Sequence, residues 1–480
     1  MSEKFRSHFR WVALAAILLV PVVAAMAQGS APIKIEDVAV AASNAQNAGD
    51  TAWMLVCTAL VLLMTPGLAL FYGGMVRRKN VLGTMMQSVM AMAVISIQWV
   101  LIGYSLAFGP SIGGVIGSLK FAGLSGVGIA PNPDYAATIP HLVFMAFQMM
   151  FAIITPALIF GSVAERMKFK AFMIFLILWA FMVYDPLAHW VWGVGGWLRT
   201  MGALDFAGGL VVHISAGVTA LVAALMIGKR RGYPDEPMPP HSLPLTVLGA
   251  GLLWFGWFGF NAGSALAANG LAAYAFVNTN TAAAAATLAW VLIEWMHHGK
   301  PTVLGAASGA VAGLVAITPA AGFVLPWAAI VIGIAAGGVC YGAVNLRYKL
   351  GYDDSLDAFG VHGVGGMLGA LLTGVFATKL VNAAGADGLF YGNPIQLWIQ
   401  LKSVLISVVF CAIASFVLLK ITAAVTGGLR LGKLDELEGL DVAEHGENGY
   451  NMGDIPLGHG GTAAVSHPSP APVAAVKAEA

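Results

Sequence analysis

The amino-acid sequence predicts an all-α integral membrane protein with eleven transmembrane helices, arranged as an inverted five-plus-five repeat plus one further helix. Three observations predict this class: an apolar composition, eleven apolar segments of membrane length, and basic residues concentrated in alternate loops. Of 480 residues, 59% are hydrophobic and 10% are charged, whereas a soluble domain carries about 25% charged residues. The mean hydropathy is +0.81. This composition excludes a soluble fold, and the net charge of +1 gives no basic surface for nucleic acid.

Each membrane-spanning helix needs about 20 predominantly apolar residues. The predicted spans are residues 51–73, 81–108, 140–163, 170–192, 206–228, 243–266, 271–296, 302–318, 325–345, 358–378 and 398–425. Basic residues concentrate in every second loop, at positions 77–79, 166–170, 229–231, 300 and 347–349. Because positively charged loops stay in the cytoplasm, the amino terminus is predicted to lie outside and the carboxyl terminus inside.

The two ends of the chain differ in composition from the spans. Basic residues precede a short apolar run, and Ala25-Met26-Ala27 has the small-residue pattern of a cleavage site. This predicts a signal peptide over 1–27, with an uncleaved anchor helix as the alternative, and an exported amino-terminal arm over 28–50. The eleven-helix domain then covers 51–426. A polar cytoplasmic tail, 427–456, and a disordered tail, 457–480, follow it.

Two histidines lie within apolar spans, His213 in the fifth and His362 in the tenth. Ionisable residues at this depth are costly and indicate function. With five spans per half the halves run in opposite directions, so these two spans are equivalent. At 1.5 Å per residue, His213 lies roughly 12 Å from Asp205 at the outer end, and His362 roughly 8 Å from Asp357 at the inner end. The histidines are therefore expected to meet, and the glycines around them predict close helix contact.

Other polar residues leave alternatives open. Asp205 suits a helix cap as well as a direct role with a cation, and Asp357 is predicted to cap the tenth helix. Asp185 and Glu294 have no assigned role. A metal site is not predicted, because no further ligands stand near the depth of the histidines. No catalytic residue, cofactor or enzyme activity is predicted.

Four motifs carry a family resemblance. D-F-A-G-G-L-V-V-H-I-S-A-G, W-F-G-F-N-A-G-S-A, F-G-V-H-G-V-G-G and E-G-L-D-V-A-E-H-G-E-N-G-Y together resemble the ammonium transporter (Amt/Mep/Rh) family, on its bacterial Amt side. The resemblance runs from about residue 50 to 452. It implies ammonium or ammonia transport, with methylammonium as a further candidate substrate. It also implies a multi-pass homotrimer in the bacterial inner membrane with one pore per subunit, and a small PII-type regulatory protein as a partner at the cytoplasmic face.

The resemblance also implies roles for individual residues. An outer site that recruits the cation is implied for Trp192, Ser264, Phe147, Phe151 and Asp205. A gate is implied for Phe151 and Phe260, with Trp257 lining the lumen, and His213 and His362 match the family's twin histidines. The stretch from Trp192 to Asp205 is one residue longer than the family pattern. An ammonium sensor with the same fold, or a channel for another small solute, are the alternative functions.

Overall fold

The computed structural model describes residues 35–450, which are almost entirely helical. The predicted signal peptide, the start of the arm and the tail from residue 451 lie outside the described residues. The α-helices are α1 (Ile35–Met75), α2 (Val81–Gln98), α3 (Tyr104–Phe108), α4 (His141–Ile159), α5 (Phe169–Trp179), α6 (Asp185–Trp192), α7 (Trp197–Met201), α8 (Ser215–Ile227), α9 (Leu243–Gly263), α10 (Gly270–His298), α11 (Val303–Ile317), α12 (Pro326–Leu350), α13 (Val364–Phe376), α14 (Pro394–Thr426), α15 (Lys433–Glu438) and α16 (Leu440–His445).

Within residues 35–450, ten helical segments are long and apolar enough to cross a membrane. They are Val38–Met75, Arg78–Phe108, His141–Val163, Phe169–Met201, Gly209–Ile227, Leu243–Gly263, Gly270–His298, Pro326–Leu350, Phe359–Phe376 and Pro394–Thr426. The predicted span at 302–318 corresponds to α11, which has 15 residues and is shorter than the roughly 20 that a crossing needs. The structure thus shows a multi-pass, all-helical architecture, and the count of eleven crossings stays a prediction.

The first span begins earlier than its apolar pattern indicates. Helix α1 starts at Ile35 and continues without interruption to Met75, so the described part of the predicted arm is helical and continuous with the span. The residues before Asp50 are mostly exposed. Apolar periodicity could not reveal this extension, because an exposed helical turn needs no apolar face.

Four segments within the spans are π-helical, with one more residue per turn than an α-helix. They are Trp99–Gly103, Ala180–Tyr184, Gly209–Ile214 and Phe359–Gly363. Such segments are rare and often mark functional sites. The last two contain His213 and His362, the two histidines singled out from the sequence.

The helices that carry the two histidines cross with their backbones in contact. A Cβ atom on Gly217 would lie 2.1 Å from the backbone nitrogen of Gly363, and one on Gly366 would lie 2.9 Å from the Cβ of His213. No side chain larger than hydrogen fits at these crossings. The close approach predicted from the glycines is present, and it brings the two histidine rings together.

Short loops and hairpins cover the two ends of the bundle. On the predicted outer side, β1 (Ser111–Ile112) pairs with β2 (Ile116–Gly117), and β3 (Pro131–Asn132) with β4 (Ala136–Pro140), both antiparallel. The sequence did not predict these strands. Short 3₁₀ segments lie at Arg78–Asn80, Leu119–Leu124, Phe160–Val163 and Leu389–Tyr391.

The described part of the polar tail folds back against the bundle. The backbone N–H of Lys168 donates to the carbonyl of Leu429 at 2.9 Å, and that of Leu431 donates to the carbonyl of Arg166 at 3.0 Å. Further along, the Asp441 carboxylate accepts the N–H of Gly83 at 2.9 Å. The tail is thus anchored to the loops on the predicted cytoplasmic side.

Candidate functional site

An open cavity of about 420 Å³ lies at the predicted outer end of the bundle. Trp192, Ser264, Phe151 and Asp205 all contribute to its wall. The Trp192 indole N–H donates to the backbone carbonyl of Asp205 at 2.9 Å, which fixes the orientation of the ring. The Ser264 hydroxyl donates to the Phe260 carbonyl at 2.8 Å, so its oxygen keeps lone pairs for a further donor. The cavity combines an aromatic ring with hydrogen-bond acceptors.

Phe147, a predicted member of this outer site, lies one layer behind the cavity wall. Its side chain is fully buried, and its ring meets the Phe151 ring edge to face at 4.9 Å. A Cβ on Gly263 would lie 2.8 Å from the Phe147 ring. The neighbouring Gln148 lines the cavity instead. A glutamine within a strongly apolar helix was the sequence signal for this position.

Asp205 caps the π-helical segment that leads to His213. Its carboxylate accepts the backbone N–H groups of Gly208, Gly209, Leu210 and Val211 at 2.6 to 3.3 Å. These are the N–H groups that a helix start leaves without partners. Burial raises the pKa of Asp205, while the four hydrogen bonds lower it. Of the two roles considered for Asp205, the structure shows the cap directly.

Two stacked phenylalanine rings close the inner end of the outer cavity. The Phe151 and Phe260 ring centroids are 4.2 Å apart, with the planes inclined by 29°, and both side chains are almost fully buried. The Trp192 ring meets Phe151 edge to face at 5.9 Å. No polar side chain separates the two phenylalanine rings, so a species moving inward passes an apolar barrier.

A narrow, mostly apolar passage lies behind the phenylalanines. Its open volume is about 10 Å³, and His213, His362 and Trp257 are its polar lining residues. A volume of about 10–15 Å³ is the least that holds one water molecule. The passage therefore admits one small molecule at a time, or requires side chains to move.

The two histidine rings are directly paired. Nδ1 of His362 lies 3.3 Å from Nδ1 of His213, and the ring centroids are 5.4 Å apart with planes inclined by 24°. Both side chains are buried. The meeting of these two residues, expected from the inverted arrangement, is present in the structure.

Thr318 extends the histidine pair, and sequence reasoning did not identify it. Its hydroxyl donates to the Leu314 carbonyl at 2.7 Å and accepts the Trp257 indole N–H at 2.9 Å. Nε2 of His213 lies 3.2 Å from the same oxygen. Because the single hydroxyl proton is already donated, Nε2 of His213 must carry the hydrogen of this contact.

This contact sets the protonation pattern of the neutral pair. With the hydrogen of His213 on Nε2, its Nδ1 is an acceptor, so His362 must donate from its own Nδ1. Nε2 of His362 is then left as an acceptor. The geometry assigns one donor and one acceptor nitrogen to each ring. His362 donates to His213, and His213 donates to Thr318, so both hydrogen bonds point in the same direction.

A second small cavity, of about 20 Å³, lies inward of the histidines and is lined by His362, Asp357, Ser308 and Tyr72. The prediction that Asp357 caps the tenth helix is wrong. Asp354 accepts the N–H groups of Ala358 and Phe359 instead, at 3.1 and 2.7 Å.

Asp357 itself takes a different part at this inner end. It adopts a positive φ of 61°, which turns its side chain toward Arg347, 2.7 Å away. Burial raises the pKa of Asp357 to about 7, and Arg347 opposes that shift.

Buried charges hold the loop before His362. The Arg230 guanidinium binds the Asp353 carboxylate at 2.9 Å, and Arg166 donates to the Asp353 carbonyl at 2.6 Å. Burial raises the pKa of Asp353, but the hydrogen bonds and charge of Arg230 outweigh this effect, so the pKa lies below its ordinary value.

Glu294, which the sequence left unassigned, accepts the N–H and hydroxyl of Thr302 at 3.0 Å.

Comparison with known proteins adds independent information. A family profile described as Ammonium Transporter Family matches residues 52–450. An ammonium transporter of Bacillus subtilis (strain 168) is 57% identical over 403 residues, covering 84% of this chain and 98% of that protein. Ammonium transporter Amt1 of Archaeoglobus fulgidus is 49% identical over 402 residues, covering 84% and 99%.

Solved structures share the architecture. The crystal structure of Saccharomyces cerevisiae Mep2 superposes with a TM-score of 0.76 and 40% identity, covering 81% of this chain and 88% of that chain. A structure described as a sensor Amt protein superposes with a TM-score of 0.77 and 30% identity, covering 84% and 99%. The shared architecture therefore covers more than four-fifths of this chain.

Proposed function

This chain belongs to the ammonium transporter family and transports ammonium across a membrane, and we propose that its substrate path runs from the outer cavity, past Phe151 and Phe260, to His213 and His362. One observation carries the proposal. The two histidines form a hydrogen-bonded pair at 3.3 Å in a passage whose other walls are mostly apolar. Ionisable groups inside a membrane generally mark substrate or proton pathways.

The outer cavity is proposed to recruit the ammonium ion. Trp192 and Phe151 present aromatic rings, which attract a cation by about 0.5 to 2 kcal/mol per contact. The Ser264 oxygen has lone pairs available for an ammonium N–H. Phe147 supports this site from behind Phe151. The Asp205 carboxylate, occupied by four backbone N–H groups, contributes its negative charge at the cavity wall and no free hydrogen-bonding site.

The phenylalanine barrier is proposed to favour ammonia over the intact ion. A charged group in a dry apolar passage costs several kcal/mol, whereas ammonia carries no net charge. Potassium has a similar charge but no proton to lose, so the same barrier excludes it. Deprotonation before the barrier is thus the step that gives selectivity.

The histidine pair is proposed to replace the hydrogen bonds that ammonia leaves behind in water. Nε2 of His362 is an acceptor for an ammonia N–H, and Trp257 lines the same passage. The aligned donors from His362 through His213 to Thr318 also suit proton movement, because each ring can take a proton on one nitrogen and release it from the other.

We propose the topology and assembly on further grounds. Eleven crossings in an inverted five-plus-five repeat plus one are supported by the π-helical histidine segments in the fifth and tenth spans. The alternating basic loops support an outer amino terminus, an inner carboxyl terminus and an inner-membrane location. A homotrimer follows from the family resemblance.

The proposed domains are 1–27, 28–50, 51–426, 427–456 and 457–480. If the first of these is a cleaved signal peptide, the mature protein begins at Gln28, and amino-terminal sequencing that finds Met1 would contradict it.

The tail is proposed to report on the state of the pore and to offer a surface to a PII-type protein. Arg430 binds Glu436 through two oxygens at 2.7 and 2.8 Å, and Glu436 also contacts Arg231 at 3.3 Å. Arg231 follows Arg230, which holds the loop before His362. A partner that moves the tail therefore acts on groups next to the pore helix.

Ammonium-evoked current in proteoliposomes, with potassium as the control ion, tests transport by this path. We expect current with ammonium and none with potassium. A sensor is the second candidate, favoured by the superposition on a sensor Amt protein. Ammonium binding, measured as a rise in melting temperature, without any current and without any pH change inside the liposomes would support the sensor and contradict the proposed path.

A further inference from the structure

A second polar group lies inside the apolar helices, away from the proposed substrate path. Asp185 stands in the middle of the span Phe169–Met201, and its side chain is 0% exposed. It precedes Trp192 by two helical turns, which places it about 10 Å deeper along the helix axis than the outer cavity. An acidic residue at this depth is by default a candidate functional site.

One neutral side chain approaches the Asp185 carboxyl group. The Gln98 amide N–H donates to Oδ2 of Asp185 at 2.7 Å. Around this contact, three buried oxygens find no hydrogen-bond partner among residues 35–450: Oδ1 of Asp185, Oε1 of Gln98 and the hydroxyl of Tyr184. Unsatisfied buried oxygens are uncommon in native proteins and call for an explanation.

The backbone around the pair is also unusual. The π-helical segment Trp99–Gly103 begins immediately after Gln98, and Ala180–Tyr184 ends immediately before Asp185. In the described part of the chain, the other two π-helical segments carry the paired histidines. Gly103 makes room for the amide, because a Cβ there would lie 2.6 Å from both polar atoms of Gln98.

Within the described residues, no cation balances the Asp185 carboxyl group. None of the ion pairs formed within residues 35–450 includes Asp185. The titratable side chains on the helices packed around it, apart from Tyr184, make other contacts: Tyr104 with His141, His189 with Ala107, Lys402 with Trp398 and Lys420 with Phe416. An unpaired charge in the protein interior costs several kcal/mol even after relaxation, and one amide hydrogen bond does not offset this cost.

We propose that Asp185 and Gln98 form a proton-binding site in the membrane core, in which Asp185 is a neutral carboxylic acid. The ligand of the site is a proton. The acid accepts the Gln98 N–H through its carbonyl oxygen and carries its proton on the other oxygen. This inference is independent of the proposed substrate path.

The site lies next to the helix that carries Phe151. The segment Ala180–Tyr184, immediately before Asp185, packs against α4, in which the Thr155 hydroxyl donates to the Phe151 carbonyl at 2.6 Å. Loss of the Asp185 proton would therefore place a negative charge close to the helix turn that carries Phe151.

Infrared spectroscopy of the full-length protein in lipid, without ammonium, tests the proposal. Protonated carboxylic acids have a carbonyl stretch that is well separated from carboxylate bands. At neutral pH we expect Asp185→Asn to lose a band of the protonated acid, and Asp134→Asn, which alters an exposed loop aspartate, to lose carboxylate bands. If Asp185→Asn loses carboxylate bands instead, Asp185 is ionised and the proposal is wrong.

Two further variants keep the test decisive if Asp185→Asn does not fold. Gln98→Leu removes the donor to the acid carbonyl, and Gly103→Ala displaces the same amide without removing a polar group. Both should shift the acid band to higher frequency, because a carbonyl that loses a hydrogen bond stretches at higher frequency. An unchanged acid band in both variants would show that the band does not arise from Asp185 and would overturn the assignment.

Discussion

Replacing Thr318 by valine tests the proposed order of protons along the histidine pair. Valine keeps the β-branched shape and removes the hydroxyl. Two buried donors, the Trp257 N–H and the His213 Nε2–H, then lose the acceptor that lies 2.9 and 3.2 Å away. A buried donor left without a partner costs about 1 to 3 kcal/mol, so the expected loss of stability is about 2 to 6 kcal/mol if neither donor finds a new partner.

The effect on transport follows from the freedom that His213 gains. Without the Thr318 oxygen, nothing holds its hydrogen on Nε2. A net hydrogen bond contributes about 0.5 to 1.5 kcal/mol, which corresponds to a shift of about twofold to tenfold in the ratio of the two neutral forms. If the form with the His213 hydrogen on Nε2 is the one that conducts, ammonium-evoked current should fall by a factor in this range.

Two control variants separate the hydroxyl from its surroundings. Thr318→Ser keeps the oxygen and should retain both the current and the native nitrogen NMR spectrum of isotope-labelled histidine. Thr373→Val removes another buried hydroxyl of the bundle, whose bond is to the carbonyl of Gly369, one turn earlier, and should leave the current unchanged. Native current together with a native histidine spectrum in Thr318→Val would refute the assigned proton order.

Three further outcomes are expected. In the double variant His213→Leu/His362→Leu, loss of two hydrogen-bonding groups at about 1 to 3 kcal/mol each should lower ammonium conduction by roughly two to four orders of magnitude; native flux from a folded protein would show that the pair only fills space. The Arg230–Asp353 pair should stabilise the protein above about pH 4, the ordinary aspartate range, and lose this effect as pH falls through the depressed pKa of Asp353. Asp353→Asn should therefore lower the melting temperature at neutral pH and reduce the fall of the melting temperature on acidification. A variant whose melting temperature falls with acid as steeply as that of the native protein would contradict this. Deleting residues from Lys433 onward should leave membrane insertion intact, since no span is removed, but alter the current or its regulation; failed insertion would contradict this.

The histidine pair could be predicted from the sequence because both of its determinants are long-range regularities. Apolar segment length and loop charge predict the spans and their directions, and similar depth in two spans predicted to run in opposite directions leads to the expectation that His213 and His362 meet. Asp205 could be predicted only in part, because an aspartate before a glycine-rich helix start suits a cap as well as a direct role with a cation.

Thr318 and Gln98 could not be predicted in the same way. A threonine hydroxyl in an apolar helix can bond the carbonyl four residues earlier, as those of Thr155, Thr373 and Thr318 itself do, so its presence carries no signal. Its role depends on two rings that approach from other helices. Gln98 likewise gains meaning only from Asp185, which is far away in the chain. The choice between Asp354 and Asp357 as a cap depends on a single positive φ angle, which residue type alone does not determine.

The π-helical segments connect these observations. In an α-helix, inward-facing side chains recur at fixed angles, so a polar group meets its partner only if both spans have the matching register. One extra residue in a turn rotates the rest of the helix and releases that constraint. In this bundle His213 and His362 lie within such segments, and Gln98 and Asp185 adjoin two others. The extra residue thus occurs at two places where distant spans bring titratable side chains together with a partner in an apolar interior. A variant that deleted one residue from such a turn would be expected to separate the pair while keeping both of its polar side chains.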